Sequence, residues 1–200
     1  MFFQTPAFDI YLLTLINQQL KNPFFDSIMP VISNPAILYA LLLPLLIWTW
    51  RKYGKKQIIL VLVLLAGVGM ADLGTNLVKK SIKRVRPLNA LPSVYFQENG
   101  QWVQRPSDFV RTKEHGTSYP SAHAANTMCI ALLAMAFWPR LKKWPLLLPL
   151  LVGYSRIYLG KHYPLDVIAG WLFGLVTAGT AWLLWSYVVE PLIDARRNKS

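Results

Sequence analysis

The sequence predicts an all-α fold: a polytopic membrane helix bundle of five spans, or six if one further segment crosses, plus an N-terminal interfacial helix. Three observations predict it. Of 200 residues, 54% are hydrophobic, eight are Trp and only 15% are charged, which excludes a disordered chain and is unusually apolar for a soluble domain. The apolar residues gather into runs near the ~20-residue length a bilayer requires. The charges fall mostly between those runs. One domain, 1–200, is the natural count. A net charge of +12 can signal nucleic acid, but charge placed between apolar runs fits a bilayer and an anionic substrate instead. The lone cysteine, Cys129, rules out an internal disulfide and a cysteine-built metal site, and it reads as packing.

Along the chain, residues 8–20 ("FDIYLLTLINQQL") are apolar but short, so they read as an interfacial or half-inserted helix. No Lys or Arg precedes Lys21, so this is not a secretory signal. The spans follow at 31–50, 57–78, 120–138, 144–160 and 165–189. The fourth is short and carries Gly153, Ser155 and Arg156 near its end. Between the second and third lies a polar stretch, 81–118, rich in turn residues and read as an extramembrane loop.

Five spans decide which loops share a side. The segments "RKYGKK", "PRLKK" and "DARRNKS" fall together and hold ten Lys and Arg: Arg51, Lys52, Lys55, Lys56, Arg140, Lys142, Lys143, Arg196, Arg197 and Lys199. The opposite short segments offer Lys21 and Lys161. The positive-inside rule then puts the long loop outside the cytoplasm. If residues 8–20 also crossed, only the N-terminus would change sides.

Charged residues at span ends are costly and usually functional. Lys79 and Arg86 follow the second span, Ser121 and His123 open the third, Arg156 lies near the end of the fourth, and His162 and Asp166 bracket the start of the fifth. Counting spans alone puts all of them on the outward face. Arg and Lys suit phosphate. Pro120 stands where a helix can begin, and the first-turn amides around Ser121, Ala122 and His123 can bind an anion. Pro164 starts the fifth helix, so Asp166 falls near its third position and points back to the loop that holds His162. A carboxylate on one imidazole nitrogen makes the other a better nucleophile or base. Two histidines, three cations and a helix N-terminus suit in-line phosphoryl transfer.

Taken singly, these residues have ordinary readings. Lys79, Lys80, Lys83 and Arg84 read mostly as snorkelling cations. Taken alone, His123 reads as a packed, hydrogen-bonded residue, Asp166 as a helix cap and Arg156 as a lipid-headgroup contact. Asp72 and Asn76 read as interhelical polar contacts, and Gly170 with Gly174 as a close-packing pair.

The chain resembles the type 2 phosphatidic acid phosphatase family, membrane relatives of vanadium haloperoxidases. Three motifs carry the resemblance: Lys79, six residues, Arg86-Pro87; Pro120-Ser121-Ala122-His123; and Ser155-Arg156, five residues, His162, three residues, Asp166. Ala122 departs from the family's usual glycine. The resemblance implies that His162 is the nucleophile, forming a phosphohistidine, with Asp166 orienting it. His123 would be the general acid and base. Lys79, Arg86, Ser121, Ala122 and Arg156 would hold the phosphoryl oxygens, with no metal or other cofactor. The expected partners are the bilayer and a lipid phosphate, and no nucleic acid. The expected place is the bacterial inner membrane, with the site facing outward. Undecaprenyl diphosphate is the favoured substrate, because recycling of that carrier occurs on that face. Phosphatidylglycerophosphate, phosphatidic acid and lipid A 1-phosphate are the alternatives. A non-enzymatic lipid-phosphate binding or transport protein is the alternative of a different class.

Overall fold

A computed structural model describes residues 4–36, 47, 51, 55–111 and 113–197. Most of the expected first span, 31–50, lies outside them. The described chain is mostly helical. Helix α1 (Ala7–Thr14) runs into a π turn at Leu15–Gln19, and α2 (Pro23–Ile32) follows, capped by the Asn22 side chain on the Phe25 amide. From Ala7 to Gln19 is about 20 Å of helix, short of the ~30 Å hydrocarbon thickness. Helix α3 (Lys55–Ile82) then covers the second expected span and ends in Lys79 and Lys80.

The 81–118 stretch is not all loop. It holds a short antiparallel hairpin, β1 (Tyr95–Glu98) and β2 (Gln101–Gln104), with Tyr95 opposite Gln104 and Glu98 opposite Gln101. The turn residues Asn99 and Gly100 both have positive φ, 50° and 80°, as a tight Asn-Gly hairpin turn requires. The all-α expectation therefore misses one small sheet. The hairpin is pinned to the N-terminal arm. The buried Asn17 amide donates to Tyr95 O (2.8 Å) and Tyr158 O (2.7 Å) and accepts from the Tyr95 amide. Lys21 pairs with Asp26 and lies 3.6 Å from the Trp102 ring centroid.

After the hairpin come α4 (Ala122–Phe137), α5 (Leu147–Tyr158) and α6 (Pro164–Leu184). A π turn at Trp185–Val189 leads α6 into α7 (Glu190–Arg197). By length and composition, two helical stretches qualify as membrane crossings among the described residues: Gln57–Asn89 and Pro164–Ile193. Helix α4 has 16 residues and α5 has 12, about 24 and 18 Å.

Helices α3, α4 and α6 pack together around Leu64, Cys129, Leu133, Ala178 and Ala181. Cys129 is fully buried, as a packing residue should be. Trp138 Nε1 donates to Gln57 Oε1 (3.0 Å), tying the end of α4 to the start of α3. The opposite end of this bundle holds the end of α3 and the starts of α4 and α6. A second core of Leu13, Val94, Ala124, Ile157, Tyr163 and Val167 lies there.

Gly170 and Gly174 let α6 approach α4 backbone to backbone, bearing out the close-packing reading. A Cβ at Gly174 would strike Ala125 O and come within 2.7 Å of Met128 Cβ. At Gly179, a Cβ would meet nothing within 4 Å among the described residues. Gly174→Ala should therefore lower stability by about 1–3 kcal/mol through overpacking, while Gly179→Ala should be neutral or slightly stabilising. Thermal unfolding of both variants in detergent checks this; equal melting shifts would refute the packing argument.

Asp72 and Asn76 depart from the sequence reading. Both are exposed on α3 and bond within it: Asn76 Nδ2 donates to Asp72 Oδ2 (3.1 Å), and Lys79 Nζ reaches Asn76 Oδ1 (3.4 Å). Among the described residues they form a polar ladder up one helix face toward Lys79, not contacts between helices.

Candidate active site

Four chain segments meet at one end of the bundle. The Ser121 amide donates to Asp166 O (2.9 Å), joining the starts of α4 and α6. The His162 amide donates to Arg156 O (3.2 Å), and the Leu88 amide to Gly160 O (3.0 Å). Gly160 has φ 63°, and a Cβ there would lie 2.7 Å from Tyr95 O. Only glycine allows the chain to turn so closely against the hairpin.

His162 is 2% exposed. Its Nδ1 lies 2.8 Å from the Ser118 carbonyl oxygen. A carbonyl only accepts, so Nδ1 carries the proton and Nε2 keeps its lone pair. Asp166 Oδ2 is 3.6 Å from Nδ1, beyond a direct hydrogen bond. The sequence reading of a carboxylate directly on the imidazole is thus modified: Ser118 sets the tautomer, and Asp166 acts at slightly longer range. Ser118 also donates its hydroxyl to Asp166 Oδ2, so carboxylate, serine and imidazole form one unit.

Burial pushes the His162 pKa down to about 4. The Asp166 carboxylate pulls it up, and the positive charges of Arg156 and Arg86 push it down further. At neutral pH the ring is uncharged, as a nucleophile must be.

Asp166 sits where helix-start rules put it. Pro164 is the first residue of α6, and Oδ2 of Asp166 accepts from the Tyr163 amide (2.9 Å), closing a capping box. The structure adds a partner the sequence reading missed. Arg84 is 3% exposed and does not snorkel. Its Nη1 donates to Asp166 Oδ1 (2.6 Å), and its Nη2 pairs with Asp9. Its guanidinium lies 3.9 Å from the Tyr163 ring centroid. Asp9, fully buried on α1, also accepts from the Leu165 amide (2.9 Å). The N-terminal helix therefore reaches under the site. The missed signal was Asp9 itself, a carboxylate in the first turn of an otherwise apolar helix.

His123 is half-buried in the first turn of α4, within electrostatic range of Arg156, His162, Lys161 and Lys79. Ser121 is the N-cap of α4, its oxygen 3.5 Å from the Ala124 amide. Pro120 thus precedes the cap and is not the first helical residue. Ala122 is buried as the first residue of α4. Arg156 is 5% exposed and donates from Nη1 to Ser33 Oγ (2.7 Å), a partner from the end of α2. Among the described residues its Nε, like that of Arg86, is buried with no hydrogen-bond partner. Lys79 feels the charges of Arg86 and Arg156. All eight site residues of the sequence reading therefore belong to this end of the bundle. Among the described residues, no three His, Cys, Asp or Glu side chains group to hold a metal ion.

The family model of the PAP2 superfamily matches residues 57–190. Undecaprenyl-diphosphatase BcrC of Bacillus subtilis (strain 168) is 31% identical over 182 residues, covering 86% of this chain and 81% of its own. Lipid A 4'-phosphatase of Bacteroides thetaiotaomicron is 27% identical over 177 residues, covering 83% of this chain and 72% of its own. The crystal structure of Aquifex aeolicus LpxE superposes with a TM-score of 0.71 at 25% identity, covering 91% of this chain and 99% of that one.

Proposed function

This chain belongs to the PAP2 superfamily, and from that premise we propose that it is a metal-independent lipid phosphatase of the bacterial inner membrane acting through a phosphohistidine. One observation carries the mechanism: the Ser118 carbonyl holds the proton on His162 Nδ1, leaving Nε2 as the free base. Nε2 attacks phosphorus, and the bond from phosphorus to the lipid-side oxygen breaks. His123 gives that oxygen its proton. A water then attacks the phosphohistidine, His123 takes the water's proton, and inorganic phosphate leaves with Nε2 restored. Lys79, Arg86, Arg156, Ser121 and the first-turn amides at Ala122 and His123 stabilise the charge on the transferring group. The buried Nε groups of Arg86 and Arg156 suit that role, because an orphaned buried donor is costly until an anion takes it. Arg84 holds Asp166 in place from behind.

The substrate we favour is undecaprenyl diphosphate, cleaved to undecaprenyl phosphate. The name of the Bacillus relative supports it, and so would the outward-facing topology proposed below. The Bacteroides relative's name keeps lipid A phosphate as the second reading. Phosphate release in detergent with EDTA present, across a panel of lipid phosphates, tests reaction and substrate together. Release should survive EDTA, and vanadate should inhibit competitively as a five-coordinate mimic of the transition state. Activity that collapses in EDTA and returns only with Mg²⁺ would refute the metal-free reading.

The proposed topology has five crossings with the site outside, resting on the ten cations of the opposite short segments. Glu98 is exposed beside the hairpin turn, and Lys143 is exposed between α4 and α5. In a Cys129→Ala background, Glu98→Cys should react with an impermeant thiol reagent on intact cells, and Lys143→Cys only after lysis. The reverse pattern would put the site in the cytoplasm and remove the case for carrier recycling.

A further inference from the structure

Arg156 is a buried cation held by a neutral partner. Its Nη1 donates to Ser33 Oγ at 2.7 Å, with Ser33 4% exposed and Arg156 5%. Among the described residues, no carboxylate stands within ion-pair distance of this guanidinium. Arg84 is the contrast. Its fork is clamped by Asp9 and Asp166, so its charge is already answered. A hydroxyl fixes the direction of a guanidinium and leaves its charge available, whereas a carboxylate would occupy the fork that phosphate needs.

The fold delivers that hydroxyl through a docked helix. Ser33 closes α2: its amide donates to Met29 O (3.1 Å), and its φ of −80° and ψ of −7° continue the helix. Asp26, Met29 and Ser33 recur at helical spacing and share one face. Met29, between the other two, is 3% exposed. Helix α2 meets α5 on both sides of Arg156. Tyr158 Oη donates to Asp26 Oδ1 (2.7 Å) and accepts from the Asn22 amide (3.1 Å). The Phe25 ring meets Tyr154 and Tyr158 edge-on, with centroids 5.8 and 5.9 Å away. From the hairpin, Trp102 Nε1 donates to Asp26 O (3.2 Å). Helix α2 is thus pinned near its first turn, and about 10 Å of helix from Asp26 carries the Ser33 hydroxyl to the guanidinium.

We propose that Ser33 is a positioning residue for the reaction: its hydroxyl oxygen sets the rotation of the Arg156 guanidinium, so that the remaining N–H groups face the transferring phosphoryl group. This rests on the phosphatase reading, in which Arg156 holds that group. Ser33 acts through Arg156 and touches no substrate. Without its oxygen, the buried Nη1 is a donor with no acceptor, and the fork turns to recover one. Charge that was aimed in advance at the transition state is then misaimed.

The test uses the full chain in detergent and compares Ser33→Thr with Ser33→Val, two side chains of one shape that differ by the hydroxyl. Phosphate release from a lipid phosphate and the vanadate inhibition constant are measured for each. Ser33→Thr should stay near wild type. Ser33→Val should lose about tenfold in kcat/KM and raise the vanadate constant by the same factor, because the lost interaction is one made with the transition state. Ser33→Ala removes the oxygen without adding a methyl group, so it serves where the bulkier pair fails to fold, and it should follow Ser33→Val. Each change is then repeated in an Arg156→Ala background. Arg156→Ala alone should lose on the order of 10²- to 10³-fold. Ser33→Val should cost nothing further there, because the group it positions is gone. An equal loss in both backgrounds would make Ser33 merely structural and overturn the proposal, and so would Thr and Val variants that behave alike. If Arg156→Ala is crippled while Ser33→Val and Ser33→Ala are not, the proposal alone fails. No phosphate release by wild type, or a wild-type rate in Arg156→Ala, overturns the underlying reading and the proposal with it.

Discussion

His162→Ala abolishes phosphate release while the protein remains folded. The expected loss is on the order of 10⁶-fold, the scale seen when a covalent nucleophile is removed from a preorganised site. The side chain is buried and its Nδ1 bonds the Ser118 carbonyl, so alanine also orphans that oxygen. His162→Asn separates the two effects, because its amide can still donate near the Nδ1 position but offers no nucleophilic nitrogen. Both variants should keep a wild-type melting profile within a few degrees and show no turnover. Near-normal turnover by either would remove the phosphohistidine mechanism.

The same residue makes a pH prediction. Its pKa is lowered from 6.5 to about 4, first by burial. The neutral, reactive ring therefore persists well below pH 6, and the acidic limb that His162 imposes on kcat/KM should lie near pH 4. The stability linkage runs the same way. The unfolded chain takes up a proton near pH 6.5 and the folded chain only near 4, so folding stability falls as pH drops through that window. An acidic limb near 6.5 assigned to His162 by its variants would contradict the burial described here.

Arg84→Lys slows turnover by about 10- to 100-fold with little change in KM, the range seen for partners that orient a reactive group without touching substrate. The guanidinium fork bonds Asp166 and Asp9 at once, and an ammonium cannot reproduce that two-pronged geometry. Arg84→Gln should be worse and in a different way. Two buried carboxylates would then face each other without a cation, costing about 3–5 kcal/mol, and the variant should express poorly. Asp9→Asn should lower kcat in the same direction as Arg84→Lys, since it loosens the far end of the same unit. Full activity in Arg84→Lys and Asp9→Asn together would show that Asp166 needs no support. A rise in KM with kcat unchanged would move Arg84 from positioning to substrate binding.

What was legible in the chain was whatever local chemistry encodes. The apolar runs at 57–78 and 165–189 became the two stretches that qualify as crossings among the described residues, because hydropathy and length depend only on neighbours in sequence. Pro164 and Asp166 marked the start of α6, because a fixed φ and a back-reaching carboxylate act within one turn. The Asn99-Gly100 turn is equally local, but the polarity of its surroundings hides the hairpin that it closes. The support of the site was of another kind. Ser118 to His162, Arg84 to Asp166, Asp9 to Arg84 and Ser33 to Arg156 join residues 44 to 123 positions apart. Such pairs depend on how each helix is rotated and how deeply it sits against its neighbours. Arg84 lies just past the end of α3, after Lys83 at φ 54°; a different turn there would carry its guanidinium off both carboxylates, and the hydropathy of the helix would not change. The sequence by itself determined the two long apolar helices and the end of the bundle to which the reactive residues belong. Only tertiary packing decided that Asp166 is clamped by Arg84 and that a backbone carbonyl, not the carboxylate, sets the His162 tautomer.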